Sequence, residues 1–276
     1  MNTLSNHLIL FDAECPMCQL YTKAFVHAGM LDKEGRCAYQ DFPVAQCPVL
    51  DRQRAANEIA LIDLETGNVS YGIQSFFKIF SVNLPFMKPL FEFRPFIWLM
   101  RKVYAFISYN RRVIIPAAFT EKSFQLQPSF RLDYRIAYLI FSWAVISCIL
   151  SGYARLMNGL LPEDHIYREY LICGGQLLFQ ALIVSRMNIS KQMKWDYLGN
   201  MMTISFGGAL LLLPGILIAH WVQLPAVVYA AYFMGVAGLM FLEHIRRTGL
   251  LKLGWTLTMS WALYRFVILL IILLVY

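Results

Sequence analysis

From about residue 132 onward the chain is a succession of apolar windows, each long enough to cross a hydrocarbon core of about 30 Å. Such windows have few structural solutions. In lipid every main-chain N–H and C=O must be satisfied within the segment, so they are expected as helices. Five spans are expected, at 133–155, 167–185, 198–220, 224–245 and 255–276. Composition agrees: 58% of the 276 residues are hydrophobic, only 15% are charged and mean hydropathy is +0.52, too apolar for an ordinary soluble protein.

Basic residues set the expected topology. Arg111, Arg112, Lys122, Arg131 and Arg135 precede the first window or open it; Arg186, Lys191 and Lys194 lie between the second and third, and Arg246, Arg247 and Lys252 between the fourth and fifth. The alternate loops are poor in Lys and Arg: one carries Glu163, Asp164 and His165 against Arg155 and Arg168, and the short 220–223 connection has none. By the positive-inside rule the N-terminal region is expected in the cytoplasm of an inner- or plasma-membrane protein, with Tyr276 outside. Topology and anionic headgroups then account for the net charge of +7, and no nucleic acid is expected as a partner. Residues 1–7 have no basic n-region and the apolar run after them is too short for a signal peptide, which agrees with a cytosolic start.

The chemistry is expected in the first 115 residues. Cys15-Pro16-Met17-Cys18 follows the apolar run 8–11 and opens a helix-patterned segment. A thiol attacks a disulfide only as thiolate, and the N–H groups and dipole of a helix N-terminus favour that form. Two cysteines one helical turn apart suit attack and resolution, so Cys15 is the expected nucleophile and Cys18 the resolving thiol. Pro16 fits the first turn, where its missing N–H is not needed. Asp12 either accepts the Cys18 proton during resolution or caps the helix. In the cytosol a Cys-x-x-Cys is usually catalytic or metal-binding, and a structural disulfide is the least expected reading.

Around this motif the elements alternate. Strands are expected at 7–12, 36–42, 58–63 and 69–71, the last two joined by the turn-rich Glu65-Thr66-Gly67-Asn68, with helices at 16–28, 44–56, 73–81 and 95–110. Gly29 is placed to terminate the first helix. Strand, helix, strand, helix, strand, strand, helix is the order of a thioredoxin-like domain. The expected fold is thus an α/β thioredoxin-like domain (1–115), a linker (116–131) and an all-α transmembrane bundle (132–276).

Asp12-x-x-Cys15-x-x-Cys18, the 8–12 run, Gly67, Tyr71-Gly72 and the closing 103–112 segment, Tyr-rich and ending in Arg111-Arg112, together resemble the DCC thiol-disulfide oxidoreductases. The resemblance covers about the first 115 residues and none of the membrane half. It implies a thioredoxin-like fold and a protein-disulfide reductase activity. The redox-active cysteine pair would serve in place of any cofactor or metal, with a disulfide-containing protein or small-molecule thiol as substrate, a cellular thiol as reductant and membrane lipid around the anchor. Unlike thioredoxins, the chain has no proline near Asn57-Glu58, before the third strand, so substrate docking is expected to differ.

The other cysteines allow alternatives. Cys37 and Cys47 with Cys15 and Cys18 make a four-thiolate zinc set, although the spacing lacks the second close pair that marks a zinc ribbon. Cys148 and Cys173 fall where two membrane helices could bring them together as a second redox pair. Cys173, Gln176 and Gln180 form one polar stripe, and Arg265 sits mid-window, either binding the head of a quinone-like or anionic lipid or hydrogen-bonding the glutamines to lock helices. The glycines 174, 175, 207, 208, 235 and 238 are expected at close helix contacts. Two rival functions remain open: a transporter or lipid-binding protein with a thiol redox sensor, and a zinc-binding adaptor.

Overall fold

The computed structural model describes residues 2–116, 126–160 and 167–275. Lys122, Glu163, Asp164, His165 and Tyr276 lie outside the described residues. The chain forms two compact units, Met1–Tyr134 and Arg135–Tyr276.

The first unit is built on a four-stranded sheet. Strands β1 (His7–Phe11), β2 (Arg36–Ala38), β3 (Ala60–Asp63) and β4 (Val69–Tyr71) lie in the order β2-β1-β3-β4. β1 runs parallel to β2 and antiparallel to β3, and β3 pairs antiparallel with β4. β1 is apolar on both faces because both are covered. Leu10 packs with Tyr39, Phe42, Cys47 and Ala56 on one side. Ile9 packs with Phe25 and Ile79 on the other, where Phe11 also meets Cys15 and Cys18.

Helix α1 (Pro16–His27) follows β1 directly. Gly29, at φ +68°, turns the chain at its end, and the Met30 N–H returns to the Phe25 carbonyl at 2.9 Å. The expected 44–56 helix is instead a 3-10 turn at Val44–Gln46 and a separate α2 (Arg52–Asn57). The break has a local cause: Pro48 has no N–H to continue the first turn, and Asp51 starts a new helix by accepting the Arg54 N–H at 2.9 Å. The second strand stops at Ala38, short of the expected residue 42. Beyond β4 come α3 (Ile73–Asn83), α4 (Lys88–Glu92) and α5 (Arg94–Ile114), the last four residues longer at its C-terminal end than expected.

Part of the expected linker belongs to this unit. Tyr39 donates to the Leu126 carbonyl at 2.7 Å, the Ser129 N–H reaches Asn57 Oδ1 at 2.7 Å, and Gln127 lies between Glu14 and Arg112.

The second unit comprises α6 (Leu132–Ala154, beginning in the first unit), α7 (Arg168–Ser185), α8 (Lys191–Ile218), α9 (Ala226–Leu250) and α10 (Thr256–Val275). Among the described residues four helices, α6, α8, α9 and α10, are long and apolar enough to cross a membrane. They mark a membrane protein. The second expected span is the exception: α7 has 18 residues, about 27 Å at the helical rise, and it opens on Arg168 and Glu169 and carries Gln176 and Gln180.

Interior polar groups tie these helices together. Gln180 accepts from Tyr197 at 2.8 Å and donates to Ser260 at 3.2 Å, while Gln176 donates to the Trp261 carbonyl at 3.3 Å. The expected stripe is therefore buried, but it binds the α10 backbone and Ser260. Arg265 instead reaches Ser205 on α8 at 3.4 Å and lies over the Trp261 ring. Of the glycines, 175 faces Tyr264, 208 faces Met240 and 174 faces Trp143, whereas 207, 235 and 238 border open space and mediate no close approach. Cys148 is exposed and Cys173 buried, and no disulfide joins them.

Candidate thiol site

The turn from β1 into α1 is shaped by its own side chains. Asp12 Oδ1 accepts the Glu14 N–H at 3.0 Å, closing a turn that brings Cys15 to the N-cap of α1. The Cys15 sulfur then accepts the Cys18 N–H at 3.3 Å. Here a thiol occupies the position that Ser or Asp usually fills, so a thiolate at this point would satisfy a main-chain donor that otherwise lacks a partner. Cys18 lies one turn along, with its carbonyl accepting from Thr22 at 2.8 Å.

The two sulfurs are coupled. Donation from the Cys15 thiol, opposed by burial and aided by Arg111 and the Tyr21 hydroxyl, brings Cys18 from the ordinary 9.0 to about 7. The same hydrogen bond, together with burial, pushes Cys15 up. The pair shares one proton and titrates as a unit, so its first ionisation is eased and its second opposed. Both sulfurs are covered, Cys15 at 0% and Cys18 at 3% exposure, beneath Phe11, Ala38, Met17 and Tyr21.

Asp12 is 2% exposed and sits between two guanidiniums, with Oδ2 at 3.1 Å from both Arg111 and Arg112. Burial raises its pKa, but the two arginines outweigh burial and hold the carboxyl below the usual range. In this state Asp12 is a poor proton acceptor and a firm turn-former. Gln40 donates to its other oxygen at 3.0 Å, and Arg112 also reaches Glu14 at 3.2 Å.

Arg111 is the site residue that sequence reasoning placed elsewhere, as a topological charge. Its side chain is 6% exposed and it bonds the Ala56 carbonyl at 2.7 Å, the Asn57 carbonyl at 2.6 Å and Ser108 at 2.9 Å, besides Asp12. Its charge favours the thiolate at both cysteines. The one signal that pointed to it was its place at the end of the Tyr-rich closing helix.

Cys37 and Cys47 do not join the pair. In the β1–β2 register Cys37 stands beside Leu10 and Ala38 beside Phe11, so Cys37 takes the opposite face of the sheet from Cys15 and Cys18. Among the described residues no group of three or more His, Cys, Asp or Glu is arranged to hold a metal ion.

No protein-family model matches the chain, nor does any curated protein or solved structure.

Proposed function

We propose that the protein is a membrane-anchored thiol-disulfide oxidoreductase of the protein-disulfide reductase type. The observation that supports this most directly is the coupled Cys15–Cys18 pair at the N-terminus of α1, with its first ionisation near neutrality beside a buried arginine. The order β2-β1-β3-β4, with only β2 parallel to β1, supports a thioredoxin-like reading of the domain.

In the proposed cycle the one proton left on the pair passes to Cys18, so that Cys15, as thiolate, attacks one sulfur of a substrate disulfide and expels the other as a thiolate, which takes up a proton. The Cys18 thiolate then attacks Cys15 in the mixed disulfide, releasing the substrate as a dithiol and leaving a Cys15–Cys18 disulfide. A cellular thiol restores the pair by two further exchanges. Because both sulfurs are covered, Met17 and its neighbours must move aside before a substrate sulfur arrives. The substrate is a disulfide-bearing protein or a small-molecule disulfide. The thiol unit lies on the cytoplasmic face of an inner or plasma membrane, and with α7 as a fifth crossing the C-terminus lies outside.

Cys15→Ser and Cys18→Ser test the cycle. Serine is a good N-cap, so Cys15→Ser keeps the helix start. The expected results are loss of turnover for Cys15→Ser and accumulation of mixed disulfides for Cys18→Ser. Full activity in both variants would overturn the mechanism.

A second reading has its own support. Inside the membrane unit, Arg265 Nε and Gln176 Oε1 are buried without a hydrogen-bond partner, and intramembrane ionisable groups commonly mark functional sites. In this reading the thiol unit senses redox state for a transporting or lipid-binding membrane unit. Arg265→Leu would then abolish the physiological output while leaving thiol exchange intact.

A further inference from the structure

The first unit contains an open apolar pocket of about 440 Å³, within the size range of small-ligand sites, lined mainly by α1, α3, α4 and α5. Its wall includes Met17, Phe76, Phe91, Met100 and Ile107. Besides phenol hydroxyls, the polar groups on the wall belong to Ser108 and Arg111. The Ser108 hydroxyl is engaged, donating to the Asn57 carbonyl at 2.6 Å and accepting from Arg111 at 2.9 Å. Arg111 is different: its terminal nitrogens are bonded, but Nε is buried with no partner. Leaving a buried N–H unsatisfied is unfavourable, and an acceptor on a bound molecule would relieve it.

The outside of the same wall indicates where such a molecule comes from. Phe86 is 76% exposed, Phe93 57% and Trp98 64%, on the segments that line the cavity with their other faces. Lys88, Arg94, Arg101 and Lys102 are interspersed with them against Glu92 alone. Bulky apolar groups set among basic residues are the pattern of a helix lying in a lipid interface, and four helices among the described residues are long and apolar enough to cross a membrane.

We propose that the cavity is a binding site for an acyl-chain amphiphile taken from the bilayer, its hydrocarbon chain among the Phe and Met side chains and an oxygen of its head accepting the Arg111 Nε–H. No bond is made or broken. Met17, Tyr21 and Arg111 belong to this wall and also border the thiol pair, so the two sites adjoin.

The test uses the full-length protein in phosphatidylcholine nanodiscs, with two photoreactive probes: palmitic acid and phosphatidylcholine, each bearing a chain diazirine. Adducts are mapped by peptide mass spectrometry, with and without excess unlabelled palmitic acid or phosphatidylcholine. The expected result is labelling within 84–107 that competitor reduces about tenfold, while labelling of the lipid-facing membrane helices does not saturate. Competition confined to the free acid identifies a fatty acid, and competition confined to the phospholipid a membrane lipid; either supports the site. Met100→Trp fills the cavity and is expected to remove the saturable fraction, and Ile107→Trp is the second variant should the first fail to fold. Labelling of 84–107 that no competitor reduces, or that persists saturably in a folded cavity-filling variant, overturns the proposal. Disulfide reduction assayed on the same nanodiscs keeps the two readings apart, since each has its own readout.

Discussion

Replacing Asp12 by Asn separates a proton acceptor from an electrostatic keystone. The wild-type carboxylate accepts from Gln40, from the Glu14 N–H and from two guanidiniums, each of these last at 3.1 Å. An amide of the same shape can keep the contacts at Oδ1, but at Oδ2 it either presents N–H groups to guanidinium donors or offers a neutral oxygen. Arg111 is then left charged, with its side chain 6% exposed. Removing one partner of a buried ion pair costs about 3–5 kcal/mol. Here the lower end applies, because Arg111 retains two carbonyls and Ser108, and because Arg112 is 37% exposed and its share is screened by solvent. About 3 kcal/mol in a unit of this size corresponds to a fall in Tm of roughly 10 °C. The thiols should respond in the opposite sense. The Asp12 charge opposes the Cys18 thiolate, so its removal should draw the first ionisation of the pair below about 7. Both effects can be read in one assay, iodoacetamide labelling followed by peptide mass spectrometry, scanned against temperature for exposure of the buried cysteines and against pH for the pair. A variant that melts within about 2 °C of wild type, or whose labelling midpoint rises, would refute this account. Accumulation of mixed disulfides in an otherwise stable variant would restore Asp12 as the proton acceptor.

Other consequences are equally direct. Because the Asp12 pKa is lowered on folding, its contribution to stability is complete above the ordinary value of 3.8 and lost as pH falls through the lowered one. The difference in melting between wild type and Asp12→Asn should therefore be constant down to about pH 4 and shrink below it. Gly72 starts α3 at φ +59°, and a Cβ there would meet Glu58 and the Tyr104 ring, so Gly72→Ala should cost about 1–3 kcal/mol in the same thiol-exposure melt. In the membrane unit a Cβ at Gly175 would collide with the Tyr264 hydroxyl, which bonds the Ile172 carbonyl at 2.9 Å. Gly175→Ala should lower thermal stability in detergent, and Tyr264→Phe in the same chain should recover part of that loss, by making room at the price of one hydrogen bond.

What could be read along the chain was what depends on near neighbours. The strand and helix that carry Cys15 and Cys18 follow from an apolar run and a proline in the first helical turn. The β3–β4 connection follows from its turn residues. The membrane half is an apolar pattern long enough for lipid to admit only helices. Two local features set limits: Pro48 splits the expected 44–56 helix, and the opening charges and two glutamines set α7 apart from the four more apolar long helices among the described residues.

The sequence by itself determined the division of the chain into an α/β head and apolar helices, and the placing of two thiols one turn apart at a helix start, because periodicity, capping and turn chemistry act over a few residues. Only the tertiary structure decided what surrounds those thiols. Asp12 meets Arg111 across 99 positions and Arg112 across 100, Cys37 is sent to the far face of the sheet by the β1–β2 register, and the apolar pocket exists only where α1, α3, α4 and α5 converge. Such contacts are settled by closure of the whole domain, where burying a charge makes its partner obligatory, and no local pattern in the chain announces which distant residue that partner is.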